Sequence, residues 1–326
     1  MTLNAEEKRF KIIEEKFGNQ KLIKLLNSST KEYVSILPET GGMLLSMGLL
    51  FNNELVSVLE TYQTEDELIK TLGNSFRGSH LHPFPNRIDA GKYSFEGNDY
   101  QLFVNFPQEN NAIHGLVFEK KFNVAKTEEN ENYAELVLEY SPVPEKNGYP
   151  FDYNLVVTFI LEDKKGLTIK TQVTNTSNET IPVGNGWHPY FTLKSKVDDL
   201  TFEFPSVALY EVNERLLPTG NKENYTKYNK AIRINDDNFD NCFGLSDEEG
   251  IAKITIFDPV LAGGVEIWQE TGKRKYNYLQ IYTPDHRSSI AIEPMTCIPN
   301  ALNNKVGLIS LNPNQTIEFS WGINKL

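Results

Sequence analysis

Along this chain, short runs with apolar side chains at every second place recur almost without interruption, separated by clusters of Gly, Pro, Asn, Asp and Ser. A period of two puts alternate side chains on opposite faces of a strand, whereas a helix repeats every ~3.6 residues. Leu167-Thr168-Ile169-Lys170-Thr171-Gln172-Val173 is the plainest case, part of an expected strand Leu167–Thr174 that runs into a polar turn at Asn175–Glu179. Further strands are expected at Tyr93–Phe95, Tyr133–Tyr140, Tyr153–Leu161, Leu200–Phe204, Ala252–Phe257, Val265–Trp268, Tyr278–Tyr282, Ser289–Glu293 and Thr316–Trp321. Most carry β-branched or aromatic residues in alternation. Phe10–Phe17 and Lys21–Leu26 flank Gly18-Asn19-Gln20 and predict a hairpin, although Phe10–Phe17 also has some helical character. Helical patterns are scarce, and Glu65–Leu72 is the best of them. No linker composition divides the 326 residues and no internal repeat is visible. The expected fold is all-β: one large antiparallel β-sandwich, a single domain over residues 1–326.

Charge and composition narrow the partners. A formal net charge of −12 argues against nucleic acid and against an anionic membrane surface, both of which call for a basic face. No apolar run approaches the ~20 residues that span a bilayer. The start, Met1-Thr2-Leu3-Asn4-Ala5-Glu6-Glu7-Lys8-Arg9, lacks the apolar core of a signal peptide. Two cysteines, Cys242 and Cys297, fit a reduced cytoplasmic protein and leave one disulfide open. No Gly-rich phosphate loop is present.

Four segments carry chemistry. In Gly184-Asn185-Gly186-Trp187-His188-Pro189-Tyr190-Phe191, His188 falls where a strand gives way to irregular chain. It is either a core histidine with one backbone partner or an imidazole facing a cleft. In His80-Leu81-His82-Pro83-Phe84-Pro85-Asn86-Arg87-Ile88, the prolines fix an extended path that presents Arg87 outward from a loop. Its guanidinium suits the hydroxyls of a polyol or a carboxylate, or is simply a surface charge. His80 and His82 share one face of a strand, the geometry of a metal pair, but no Cys or further His adjoins them, so no metal is expected. Asp240 is bracketed by Phe239 and Phe243, which implies partial burial and a need for donors, from a sugar or from backbone amides. Glu293 closes an apolar strand, with the small residues Ser289 and Ala291 on its own face and Pro294 marking the strand end. It is a paired structural carboxylate or a catalytic one.

In this order, Pro85-Asn86-Arg87-Ile88, the run Gly91-Lys92-Tyr93-Ser94-Phe95-Glu96-Gly97-Asn98-Asp99-Tyr100-Gln101-Leu102, Ile113-His114-Gly115, His188-Pro189-Tyr190-Phe191, Phe239-Asp240-Asn241-Cys242-Phe243 and Glu293-Pro294 resemble the aldose 1-epimerase (mutarotase) family. The resemblance implies a galactose-mutarotase-like β-sandwich with a sugar cleft across one sheet, needing no cofactor. Carried over by position, Glu293 would be the general base, His188 the general acid, and Arg87, His114 and Asp240 the residues that position the sugar. Trp187 before the acid His and His80-Leu81-His82-Pro83 on the approach to Arg87 depart from the galactose enzymes of that family and leave the sugar open. Two other classes compete. One is a non-catalytic carbohydrate-binding protein on the same fold. The other is a different enzyme: a hexose-6-phosphate epimerase, calling on Arg77, Lys92, Lys120 or Lys121 for extra charge, or a hydrolase using Asp240 and Glu293.

Overall fold

The structure, a computed structural model, describes residues 8–143 and 148–326. The alternating runs become antiparallel strands, gathered into sheets of five, nine and eight strands, with three two-stranded pairs beside them. The five-stranded sheet is a meander of Phe10–Phe17, Gln20–Asn27, Tyr33–Leu37, Met43–Phe51 and Glu54–Ser57. Phe10–Phe17 is a strand along its whole length, paired residue for residue with Gln20–Asn27 across Gly18-Asn19. Gly18 takes the positive φ of 61° that a two-residue hairpin turn calls for. Tyr33–Leu37 and Met43–Phe51 were not among the expected strands. Both faces of each are largely buried, so apolar residues run on without alternation. The expected helix continues past Leu72 to Ser75: Thr64 caps it by accepting the Glu67 N–H at 3.1 Å, and Leu68 and Leu72 turn into the core.

The middle of the nine-stranded sheet is Tyr153–Glu162, Gly166–Asn175 and Thr316–Lys325. Its inward row includes Val157, Phe159, Ile169, Phe319 and Trp321, all buried completely, each worth ~1.5–3 kcal/mol relative to exposure. These side chains share one apolar cluster with Leu279, Ile281, Ile290 and Ile292 from the back of the eight-stranded sheet. Trp187 joins the two layers, meeting Phe159 edge-on at 5.9 Å and Trp321 at 5.8 Å.

The eight-stranded sheet sets out the front face. Its order is Pro218–Asn224, Ala208–Val212, Asp240–Gly244, Tyr278–Tyr282, Ile290–Met295, Gly186–Trp187 and His80–Leu81, with Tyr190–Phe191 also paired to Ile290–Met295. Because Ile290 and Ile292 face the core, Ala291 and Glu293 face the other way. Register then brings distant residues together: Gln280 lies opposite Glu293 and Tyr282 opposite Ala291, while Asp240 lies opposite Tyr282 and Tyr190 opposite Ala291. The strand does not stop at Glu293, as Pro294 suggested. It runs on to Met295, which pairs with both Tyr278 and Gly186, so the missing proline N–H removes one rung rather than the strand.

Candidate active site

A cavity of ≈ 310 Å³ opens on this front face, lined by Glu293, Gln280, Asp240, Tyr282, His188, Tyr190, Arg87, Glu109, Arg77 and Glu60 among others. That volume suits a small molecule. A larger hollow of ≈ 980 Å³ lies elsewhere, along the Lys92–Phe95 and Asn98–Gln101 hairpin, and contains none of these groups.

His188 occupies the break between two short strands. Gly186–Trp187 pairs with His80–Leu81, Pro189 interrupts, and Tyr190–Phe191 resumes on Ile290–Met295. Around the break the His188 N–H donates to the Ser79 carbonyl at 3.0 Å, and its own carbonyl accepts from Gly78 at 2.8 Å. Gly186 is required by close approach, since a Cβ there would stand 2.9 Å from Cβ of Pro85. The imidazole stacks flat on Tyr190, centroids 4.9 Å apart, and meets the His114 ring edge-on at 4.9 Å. Its Nε2 is 3.4 Å from Oε1 of Glu293.

His114 and Asn86 hold one another in place. Both have positive φ, 61° and 56°, in the left-handed region that costs a non-glycine residue energy. The His114 N–H donates to the Asn86 carbonyl at 3.0 Å, and the Asn86 N–H donates to His114 Nδ1 at 3.3 Å. An Nδ1 that accepts leaves the ring proton on Nε2. Gly115 follows, also at positive φ, with its Cα face against the His82 backbone, where a Cβ would come within 2.3 Å. Asn86 Oδ1 in turn accepts from the Arg87 N–H at 2.9 Å and from its Nη1 at 3.3 Å. Arg87 is thus not presented outward from a loop: it begins the strand Arg87–Asp89 and is 7 % exposed. Burial of a guanidinium demands a partner, and Glu109 supplies it with a fork of 2.6 and 3.2 Å.

Burial governs the charges. It pushes the His188 imidazole down to about 3 and the Glu293 carboxyl well above its ordinary range, with Asp240 raising it further and Arg87 opposing. Asp240 is raised for the same reason, and accepts a hydrogen bond from Gln280 Nε2 at 2.9 Å. His188 and Glu293 are in contact and burial favours the neutral form of each, which leaves the carboxyl proton on Glu293 and an uncharged imidazole beside it. Glu293 Oε2, Gln280 Oε1 and His188 Nδ1 are buried without a protein partner, acceptors or donors left over at the cavity wall.

A family model for aldose 1-epimerase matches residues 24–323. The chain belongs to the aldose 1-epimerase family. It is 30 % identical over 252 residues to the uncharacterised Escherichia coli protein YihR, covering 76 % of this chain and 78 % of that one. Among solved structures it is similar to a galactose mutarotase-like protein from Clostridium acetobutylicum, with TM-score 0.85, 23 % identity and 98 % and 99 % of the two chains covered. A galactose 1-epimerase from Lactobacillus acidophilus superposes with TM-score 0.76 at 17 % identity, over 98 % and 99 %. These two show the fold, the galactose-mutarotase-like all-β arrangement that the motif order implied. No helix among the described residues is long and apolar enough to cross a membrane.

For this aldose 1-epimerase family member, the fold brings together all five residues singled out in the sequence. Arg87, His188, Asp240 and Glu293 line the cavity, and His114 backs His188. Two departures that left the sugar open do not reach the cavity. Trp187 and His80 are fully buried and stacked on each other at 4.5 Å, and His82 is buried behind them. His80 Nε2 is taken up by Asn185 at 2.7 Å. Gln280, Glu109 and Tyr190 were missed. Tyr190 stood inside a quoted motif, but only strand register places Gln280 beside Glu293, and only the fold brings Glu109 to Arg87.

Four of the five histidines, His80, His82, His114 and His188, are buried and have lowered pKa values, His80 to about 4. Each is neutral when folded but takes a proton once unfolded, below ~6.5, so each loses stability as pH falls from there, by up to ~1.4 kcal/mol per pH unit. Glu293 and Asp240, raised instead, slope the other way and are outnumbered. Calorimetry is expected to show Tm falling by about 5 °C or more between pH 7 and pH 5. A Tm that holds or rises over that interval would contradict the buried neutral histidines.

Proposed function

We propose that the protein interconverts the α and β anomers of an aldohexose by acid/base ring opening and closure. The observation that carries this is the His188–Glu293 pair, 3.4 Å apart on the wall of a sugar-sized cavity. Ring opening needs a base at the anomeric hydroxyl and an acid at the ring oxygen at the same moment. Moving the carboxyl proton from Glu293 to His188 supplies both without drawing on solvent. Glu293 carboxylate then takes the proton of the anomeric hydroxyl while His188 imidazolium protonates the ring oxygen, and the C1–O5 bond breaks to leave the aldehyde. Glu293 is now protonated and His188 neutral, the arrangement that burial favours. Rotation about C1–C2 and closure by the reverse transfers give the other anomer. A positioned acid or base contributes ~10²–10⁴-fold in such steps.

Arg87, His114 and Asp240 orient the sugar in this scheme, with Gln280 as an added acceptor and donor. The whole chain works as one unit, in keeping with an apolar cluster that runs from Phe10 to Ile323. Polarimetry or NMR anomer exchange over a panel of free and phosphorylated aldoses tests the proposal. Exchange above the spontaneous rate supports it. Sugar binding without acceleration would replace it with a binding protein, and activity confined to phosphorylated sugars would replace the substrate class.

His114, His188 and Glu293 each offer a ligand atom within 4.8 Å of the others, which raises a metal. The His114 tautomer opposes it, because a ring whose Nδ1 accepts carries its proton on Nε2 and has no second lone pair to give. Two ligands remain, and both are engaged in the proton shuttle. Anomer exchange is expected to persist unchanged after exhaustive chelation. A loss restored by one particular cation would overturn this.

A further inference from the structure

We propose that Glu109 is a specificity-determining residue that reserves the cleft for uncharged sugars; this rests on the aldose reading above. Among the described residues, every fixed cation lining the cavity is matched by a carboxylate. Arg77 faces Glu60 at 3.3 Å and Glu67 at 3.0 Å, and Arg87 faces Glu109 at 2.6 Å. The remaining acids of the lining, Asp240 and Glu293, add no positive charge. An anionic sugar entering here would find no unmatched cation and would lie against the Glu109 and Glu60 carboxylates in a half-buried space, where such encounters are costly.

Of these acids Glu109 is the one that takes up the guanidinium nearest the His188–Glu293 pair. It fills the Nε and Nη2 edge of Arg87, the edge that would otherwise grip a carboxylate or phosphate in the same two-pronged way. The pair then offers both acceptors and donors to hydroxyls. Both Glu109 oxygens keep acceptor capacity, and of the five Arg87 N–H groups only three are engaged, by Glu109 and Asn86. A neutral diol is matched by such a surface and an anion is not.

The fold delivers Glu109 by its backbone. Phe106 and Asn111 bridge the turn with paired bonds of 3.1 and 3.2 Å. Arg215, from the hairpin tip across the cleft mouth, donates to the carbonyls of Glu109 and Asn110 at 3.2 Å and to Asn111 Oδ1 at 3.0 Å. Its Nη1 reaches Asp89 at 2.8 Å. None of these contacts uses the Glu109 side chain, so changing that side chain leaves the turn anchored.

The experiment compares Glu109→Gln with the parent, using anomer exchange on the preferred neutral aldose and on its 6-carboxylate counterpart, a uronic acid. The ratio of the two kcat/KM values is expected to fall ~10-fold or more in Glu109→Gln, through a gain on the acid and a higher KM for the neutral sugar. Glu39→Gln, which removes the same charge from a surface pair with Lys121, should leave the ratio alone. A ratio within threefold of the parent in folded Glu109→Gln would overturn the proposal, as would an equal change in Glu39→Gln. Should Glu109→Gln not fold, the parent itself answers. Inhibition of neutral-sugar exchange by the uronic acid must strengthen with added salt if charge excludes it, and salt-independent inhibition would sink the idea. If the parent exchanges no aldose at all, the aldose reading fails on its own; calorimetric binding of the two sugars to parent and Glu109→Gln still decides the charge filter.

Discussion

Glu293→Gln is expected to lower kcat for anomer exchange ~10²–10⁴-fold while sugar affinity changes far less. The amide keeps the shape of the side chain and its place opposite Gln280 in the sheet, but it cannot take the anomeric proton. A second readout separates lost chemistry from damage. The Glu293 carboxyl is held well above its ordinary range by burial, so at neutral pH the unfolded chain is favoured by ionising there. A neutral amide removes that cost, and Tm should hold or rise in the variant. An inactive variant with an unchanged or higher Tm and intact sugar binding is the expected combination. Glu293→Gln exchanging anomers as fast as the parent would show that the base lies elsewhere.

Much of this fold was legible because its strands are half-buried on a period of two. Tyr153–Leu161 and Leu167–Thr174 were read within a residue of their observed ends for that reason. Where both faces are buried, as at Met43–Phe51, the alternation disappears and the signal with it. The site divides along the same line. Arg87, His188, Asp240 and Glu293 stood out because each sits in a short segment of unusual composition, whereas His114 came only with the family resemblance. Their roles as partners were not, since the contact between residues 188 and 293 depends on where two strands pair. Arg87 shows the limit most clearly. Two prolines fix the path before it, but whether the guanidinium meets water or Glu109 is decided by a turn beyond residue 105. Trp187 and His80 show the reverse error: residues beside a motif drew attention as cleft-formers, yet they stack on each other in the core.

His188→Asn should cost kcat a similar ~10²–10⁴-fold, and its pH profile carries more information than its size. An isolated histidine acid would have an ordinary pKa of ~6.5 and would lose activity as pH rises past it. Here the proton belongs to a pair. It is gained a second time only near the His188 value of about 3, and lost only as pH passes the raised Glu293 value. The parent's kcat/KM should therefore stay level across the ordinary histidine range, from about pH 5.5 to 7.5, where the fold is intact. In His188→Asn the Glu293 proton has no second site, so the level region should disappear and the residual rate should follow Glu293 alone. The double variant with Glu293→Gln should cost less than the product of the two single losses, because either substitution already breaks the pair. Independent, multiplicative losses, or a parent profile falling through pH 6.5, would mean that the two groups act separately and that the 3.4 Å contact is only structural.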